Sequence, residues 1–596
     1  MRLYEILIPI VLAIYILWPL ITGKENPRLV NILPVLAVVL IAFHLRVEGY
    51  RWQMVPIYAL SVILLAITIP ELIHPATGEF ERLSWASAGV VGIFILLVFA
   101  TALPAILPIP EIPTPGGQYS VGTRTVVLPD NSREELYSDQ DGPRKFKIQI
   151  WYPAVPDPKD QLAPWVSDTT TYGHAISKYI GMPAFFLDHL SFVTTPAWQD
   201  APIAAADSSF PIILFSHGWN GFAAQNTEQA LELASRGYVV VAPEHTYGAV
   251  VAVFPDGEIA YNNPSALPEG MPEPGYTEAA RKLVEQWSQD IGYALDFMSN
   301  QNRDPNSPFF SSMDLTQIGV YGHSTGGGAA IQFCGTDTRC KAVLGMDPYM
   351  APVSQHVLDN GLTQPAFFMF SQEWVDETGS RNNRLFKRFY ENFDSSTHVI
   401  GIRGTTHYDF SDLPMISPIA SQLGLKGPIN SERVTEVINT YLVFFFNRAL
   451  KDFPTDLFDQ ATTNPDIINL DYLRTSIRPI RLTLPGGQVY HLGEGKVNNG
   501  EWVPLRAEWL AGTEISRWVA LPWSSQLETI LESLNPGDQI ELTMSNSEDV
   551  AYEVSSIQKM TMDELLSSNA TKPSLLIVLF NDNEAEGTSW VITALP

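Results

Sequence analysis

The turn Gly322-His323-Ser324-Thr325-Gly326 carries the one serine of the chain whose neighbours suit it to nucleophilic chemistry. It follows the apolar run Gln317 to Tyr321 and leads into Gly327-Gly328-Ala329-Ala330-Ile331. That is the pattern of a buried strand, a sharp turn and a helix that starts on small residues. A G-x-S-x-G turn uses glycines because the serine sits in strained backbone where neighbouring side chains would collide. The strain lifts the hydroxyl clear of the sheet, and the helix N-terminus faces whatever anion forms beside it. A serine alcohol also needs a base, a carboxylate to orient the base, and donors for the oxyanion. On a sheet bearing this turn the chain order is serine, acid, histidine. His407, in Gly404-Thr405-Thr406-His407-Tyr408-Asp409-Phe410, lies late and just past a strand ending at Ile402. His398 falls inside that strand and suits the role less well. Asp347 follows the apolar run Lys341 to Met346, at the strand end where such sheets place their sites. Asp376, after the next strand, is the second candidate. For the oxyanion the turn offers the Thr325 N–H. The loop Ser216-His217-Gly218-Trp219-Asn220-Gly221 offers a second donor, the Trp219 N–H. His217 invites a reading as the base, but a His-Gly pair after this strand shapes the loop. Glu244-His245 has no second pair of ligands at metal spacing, so no metal site and no cofactor is expected.

The elements that must hold these residues alternate. Strands are expected at 123–129, 145–153, 211–216, 238–242, 317–321, 341–346, 366–371 and 398–402. Helices are expected at 227–235, capped by Asn226 and stopped by Gly237, at 277–299 and at 431–450. The apolar piece Ile176 to Phe192 suits a further helix. Continuous apolar strands separated by helices mean a mostly parallel sheet covered on both faces, the doubly wound α/β-hydrolase pattern. After about Phe453 the texture changes to short alternating runs (480–484, 540–544, 550–554, 575–580, 590–594) broken by Gly, Asn and Ser. These predict an all-β domain built as a small barrel.

The 596 residues are too many for one domain. Their 46% hydrophobic and 17% charged composition reflects four apolar runs near the N-terminus: Ile6 to Thr22, Leu29 to Phe43, Met54 to Pro70 and Ala86 to Pro108. Each suits a bilayer core of roughly 30 Å, so four transmembrane helices are expected. The expected division is 1–108 in the membrane, a proline-rich linker over 109–118, a hydrolase domain over 119–453 and a β-rich domain over 454–596. Arg2, Arg46 and Arg51 oppose Lys24, Arg28 and Arg82 across the bilayer, so the positive-inside rule returns a near tie. No Lys or Arg follows the fourth run before Arg124, which favours an extracytoplasmic hydrolase domain at the cell membrane. A net charge of −28 argues against nucleic acid as a partner. The two cysteines, Cys334 and Cys340, read as buried free thiols, with local pairing as the alternative.

Several segments together resemble the platelet-activating factor acetylhydrolase family. They are Tyr119-Ser120-Val121-Gly122-Thr123-Arg124, Trp151-Tyr152-Pro153, Phe215-Ser216-His217-Gly218, Glu244-His245-Thr246-Tyr247, the Ser324 turn, Asp347 and His407-Tyr408-Asp409-Phe410. The likeness spans residues 113–450 in order. It implies a metal-free serine esterase acting on short or oxidised acyl chains of phospholipids. It assigns Ser324 as nucleophile, Asp347 as orienting acid, His407 as base, and the Trp219 and Thr325 amides as oxyanion donors. The tail, with Asn535-Pro536-Gly537-Asp538-Gln539-Ile540-Glu541-Leu542, Tyr552-Glu553-Val554 and the strand Leu575 to Phe580, resembles a sortase barrel. Sortase chemistry needs a cysteine where this chain reads Phe580-Asn581, so the likeness implies a non-catalytic module. Two other readings stand beside the lipid esterase. One is a general small-ester or dienelactone-hydrolase-like enzyme; the other is an inert hydrolase fold that binds.

Overall fold

A computed structural model describes the chain except residues 74–83, 140, 206–208, 378, 394–396, 454–463, 471–472, 474–477, 496–501, 503, 505, 511–512, 514–515, 546–547, 562–563, 565–572 and 581–587. Arg82, Asn581 and the start of the β-rich domain therefore lie outside the described residues. Four helical stretches, Leu3–Thr22, Arg28–Glu48, Trp52–Ile73 and Gly89–Ile106, are long and apolar enough to cross a membrane. Ile8, Leu12, Ala37, Ile57, Leu64 and Leu97 form their shared core. The outward residues are apolar as well: Val62, Ile63, Leu96 and Phe99 are 54–69% exposed.

The central sheet contains β1 (Ser120–Glu134), β2 (Pro143–Ala154), β3 (Leu162–Pro164), β4 (Thr194–Gln199), β5 (Phe210–Ser216) and β6 (Val239–Glu244). After a separate hairpin, β7 (Val251–Val253) and β8 (Ile259–Tyr261), it continues with β9 (Met313–His323), β10 (Ala342–Met346), β11 (Ala366–Ser371), β12 (His398–Ile402) and β13 (Ile467–Asn469). The order across the sheet is β13-β12-β11-β10-β9-β5-β6-β2-β1-β4-β3. Neighbours from β6 through β12 are parallel, whereas β2 meets β6 antiparallel and β13 meets β12 antiparallel. Every residue of β5 is buried, as a strand covered on both faces requires. Its side chains alternate between two cores. Ile212 and Leu214 pack with Trp287, Ile291 and Leu295 of the helix Gly275–Arg303 and with the helix Thr325–Thr336. Ile213 and Phe215 pack with Leu231 of the helix Thr227–Ser235 and Ile438 and Phe446 of the helix Ser431–Lys451. Strand β9 thus delivers Ser324 from the middle of the sheet.

Several local expectations change. Cys334 and Cys340 form a disulfide rather than two free thiols. Cys334 lies in the last turn of its helix and Cys340 just before β10, and the turn between them brings their Cα atoms to 5.2 Å. That separation is within bridging range. Asn226 stands at the start of the helix Thr227–Ser235 but makes no side-chain cap. Its amide donates instead to Phe410 O (2.5 Å), and the Asp412 carboxylate accepts from Thr227 N (2.9 Å). The piece Ile176 to Phe192 divides into the end of a helix, Thr169–Tyr179, and a 3-10 segment, Ala184–Phe192. Gly181 at φ 74° and Pro183 separate them.

This split segment is where the N-terminal helices sit. Trp52 packs edge-on to Phe185 at 5.4 Å and donates from Nε1 to Phe186 O (3.1 Å). Gln53 bonds His189 Nδ1 (2.8 Å), and the Arg2 guanidinium lies 4.9 Å from the Phe192 ring. The proline-rich stretch runs along the surface of the central α/β domain, with Ile109 and Ile112 against its core and Gly116 N donating to Glu232 (2.8 Å). Beyond residue 478 a nine-stranded, mostly antiparallel sheet forms its own core around Leu482, Ile540, Leu542, Leu575, Ile577 and Ile592.

Candidate active site

Ser324 joins β9 to the helix Thr325–Thr336 at φ 56°, ψ −121°, a conformation rare for a residue with a side chain. The chain packs too closely here for anything but glycine on either side. A Cβ on Gly322 would lie 2.3 Å from Gly326 O, and one on Gly326 would lie 2.1 Å from Ser216 O. Backbone bonds hold the strained turn: Ser324 N donates to Met346 O (3.0 Å), and Ser324 O accepts from Gly328 N (3.1 Å) and Tyr349 N (2.9 Å). The strain is thus imposed by the three segments around it.

Asp347 leaves β10 at φ 42° and is buried. Its Oδ1 accepts from Ser371 N (2.8 Å), and its Oδ2 lies 3.1 Å from His407 Nδ1. A carboxylate only accepts, so Nδ1 carries the ring proton and Nε2 keeps its lone pair. The His407 side chain is 37% exposed, which leaves it open to a substrate. Its loop is a 3-10 turn, His407–Phe410, closed by a reciprocal cap between Thr406 and Asp409. His407 N also donates to Glu373 (3.2 Å). Among the described residues no hydrogen bond joins Ser324 to His407; such contacts commonly tighten only with substrate in place. Asp376 is exposed at the end of the helix Gln372–Asp376, and His398 begins β12 paired with Phe367.

The loop after β5 holds the candidate second oxyanion donor, the Trp219 N–H. A Cβ on Gly218 would lie 3.3 Å from Ser324 Cβ, so this loop passes directly beside the Ser324 turn. Among the described residues neither the Trp219 nor the Thr325 backbone N–H donates to a protein acceptor. Two unpaired donors beside a serine on a strained turn are what a tetrahedral oxyanion requires.

The structure adds a residue that the motif alone left unread. His323 is buried inside the turn, its ring 4.6 Å from that of His407. Its Nε2 meets His407 O (3.0 Å), and its Nδ1 faces the Gln225 amide (3.3 Å). Burial, with the His407 ring beside it, pushes the His323 pKa well below the ordinary range, so the ring is neutral. Nε2–H therefore donates to the backbone of the His407 loop, tying that loop to the turn. Glu244 and His245 are also internal, Glu244 pairing with Lys147 (3.1 Å) and His245 with Asp290 (2.9 Å). Among the described residues the trio Glu5, His44 and Glu48 has metal-type donors, but Arg2 and Arg51 already pair with Glu5 there.

The family profile described as platelet-activating factor acetylhydrolase, isoform II, matches residues 107–269 and 286–468. The chain belongs to this family. The match begins where the N-terminal helices end and stops before the nine-stranded sheet, so both are additions to the acetylhydrolase unit. The chain is 27% identical over 383 residues to the platelet-activating factor acetylhydrolase of Canis lupus familiaris, covering 60% of this chain and 81% of that protein. It is 23% identical over 428 residues to a probable 1-alkyl-2-acetylglycerophosphocholine esterase of Arthroderma benhamiae, covering 64% of this chain and 100% of that one. Among solved structures, a ferulic acid esterase from Streptomyces cinnamoneus superposes with a TM-score of 0.50 at 25% identity, over 61% of this chain and 99% of that one. Family, relatives and structural neighbour agree on the reaction class: this acetylhydrolase-family chain is an ester hydrolase.

Proposed function

We propose that this protein is a membrane-anchored serine esterase that cleaves short or oxidised acyl chains from phospholipids through an acyl-enzyme on Ser324. The observation that supports the reading is Ser324 on a strained turn that passes beside Gly218 and is tied through His323 to the loop of the Asp347–His407 pair. His407 Nε2 takes the Ser324 proton as Oγ attacks the acyl carbonyl, and Asp347 stabilises the imidazolium. The carbonyl oxygen becomes an oxyanion held by the Trp219 and Thr325 amides. Its collapse breaks the ester bond, and the leaving alcohol takes the proton from Nε2. Water then repeats the sequence on the acyl-serine, releasing the acid and free Ser324.

The relatives' names point to a glycerophospholipid ester. The apolar exterior of the N-terminal helices suits lipid rather than water as their surroundings. A tether to the bilayer would raise the effective concentration of an embedded substrate without any new contact. The Cys334–Cys340 bridge supports an oxidising, extracytoplasmic location for the hydrolase domain. The nine-stranded domain is read as a non-catalytic module, because both cysteines of the chain lie in the hydrolase domain. A second reading, a small-ester esterase, is favoured by the ferulic acid esterase likeness. Turnover of 1-alkyl-2-acetylglycerophosphocholine, long-chain phosphatidylcholine and methyl ferulate by the full chain separates them. Preference for the acetyl phospholipid supports the proposal, and preference for the ferulate ester contradicts it.

A further inference from the structure

Behind the oxyanion loop lies a second set of polar side chains that the proposed reaction does not use. Ser216 Oγ is 2.9 Å from His245 Nε2, and His245 Nδ1 is 2.9 Å from Asp290 Oδ2. Arg144 grips the same carboxylate with two contacts (2.6 and 3.2 Å), and Arg133 adds a third (2.8 Å). The order of bonds is that of a hydrolytic serine, histidine and acid. Ser216, His245 and Asp290 are nevertheless each 0% exposed, so no ester can reach them. A buried polar network of this kind specifies geometry.

The proton positions can be worked out in order. Burial opposes the Asp290 charge, but Arg144 and the His245 hydrogen bond outweigh it and hold the carboxyl far below its usual range. Ionised, Asp290 only accepts, so His245 Nδ1 bears the proton. Burial keeps the His245 ring neutral, so its Nε2 accepts from the Ser216 hydroxyl. The ring is further fixed by stacking on Trp287 at 4.2 Å and 6°. So held, His245 directs its backbone N–H at His217 Nε2 (3.1 Å). His217 is also buried and neutral, and its Nε2 accepts, so its Nδ1 must carry the proton. That proton goes to Gly218 O at 2.8 Å.

Gly218 O and the Trp219 N–H belong to one planar trans peptide, and they point in opposite directions. Gly221 N donates to the same oxygen at 2.9 Å. Two donors on Gly218 O therefore fix where the Trp219 N–H points. We propose that Arg144 and Asp290 hold His245 in place, that the His245 backbone N–H sets the His217 tautomer, and that these positioning residues thereby aim the Trp219 N–H at the developing oxyanion. Ser216 completes the set by satisfying His245. His217 is then neither the base nor a spare polar group, but the element that holds the oxyanion peptide in plane. The inference rests on the serine-esterase reading above.

The test compares two near-isosteric replacements. An Asn amide nitrogen overlays the Nδ1 position of histidine, and a Gln amide overlays Nε2. His217→Asn keeps the donor to Gly218 O, whereas His217→Gln keeps only the group facing His245. Turnover of 4-nitrophenyl acetate is measured per active site titrated with a fluorophosphonate, so misfolded protein is not counted. His217→Asn should stay within about fivefold of the parent kcat. His217→Gln and His217→Leu should lose about ten- to a hundredfold, less than the 10²–10³ of removing an oxyanion donor outright. KM should hardly change. Inhibition by a trifluoromethyl ketone, which forms a tetrahedral adduct, should weaken by the same factor as kcat. Ser216→Ala should lower kcat about threefold or more with the same signature. If His217→Leu does not fold, the Asn and Gln pair decides. Equal kcat for that pair, or lost kcat with unchanged ketone affinity, would overturn the proposal. Unchanged kcat in Ser216→Ala would remove the relay from it. Failure of the parent enzyme to label or turn over would instead overturn the esterase reading itself.

Discussion

Replacing Asp347 by Asn tests the site through one proton. The Asp347 Oδ1 position accepts from Ser371 N at 2.8 Å and the Oδ2 position faces His407 Nδ1 at 3.1 Å. An Asn there must turn its carbonyl toward the Ser371 N–H, because a buried amide donor facing another donor is costly. Its NH2 then faces Nδ1 and forces that nitrogen to accept. The ring proton moves to Nε2, where it blocks removal of the Ser324 proton. The same swap in the well-studied serine protease triad lowers kcat about 10⁴-fold with the geometry intact. Here the outlook is about 10³–10⁴, or about 4–5.5 kcal/mol at 1.36 kcal/mol per tenfold. Steady-state hydrolysis of 4-nitrophenyl acetate, per correctly folded molecule, measures it. Asp376→Asn, at an exposed helix end, should stay within about threefold, since surface substitutions are usually small in effect. Asp347→Asn within tenfold of the parent, or the opposite ranking of the two, would refute the reasoning.

Three further outcomes follow from other parts of the structure. Burial pushes the Glu228 carboxyl up to about 7, so the protonated form is favoured in the folded chain. Folding stability should fall as pH rises from the ordinary carboxylate range through about 7, and Glu228→Gln should raise Tm above pH 7 but not near pH 4; a pH-independent difference would contradict this. Changing both Cys334 and Cys340 to Ser opens a short loop and should cost about 2 kcal/mol of stability, with kcat per folded site unchanged; calorimetry and steady-state rates read the two quantities. A chain lacking residues 1–106 should keep turnover of soluble esters within about fivefold but lose activity on vesicle-embedded acetyl phospholipid. Equal rates on vesicles would deny the helices a role in substrate access.

The strained turn at Ser324, the candidate nucleophile, was legible because its requirement is local: glycines must flank a serine at positive φ whatever the rest of the chain does. The candidate acid and base followed from strand order, since a parallel sheet presents the C-terminal ends of its strands on one edge. The four apolar helices were legible from length and composition alone. What the sequence hid depends on segments far apart in the chain. Gln225 reaches His323 across 98 positions, Asp412 caps the helix Thr227–Ser235 from 185 positions away, and His245 finds Asp290 at a separation of 45. No periodicity reports such meetings. Asn226 shows the limit of local rules: it has the residue type for a helix cap, yet its amide is drawn to Phe410 O and a remote carboxylate takes the capping role. The cysteine pair failed for a related reason, because a spacing of six does not say whether the turn between closes.

The acyl-enzyme itself gives the most direct test of the central claim. The full chain is mixed with 4-nitrophenyl acetate, quenched in acid within milliseconds to seconds, digested and examined by mass spectrometry. An acetyl group should appear on Ser324 with the first burst of nitrophenol and decay when substrate is exhausted. Ser324→Ala should show neither adduct nor burst. A burst with the acetyl group on another residue, or turnover that survives Ser324→Ala, would contradict the claim.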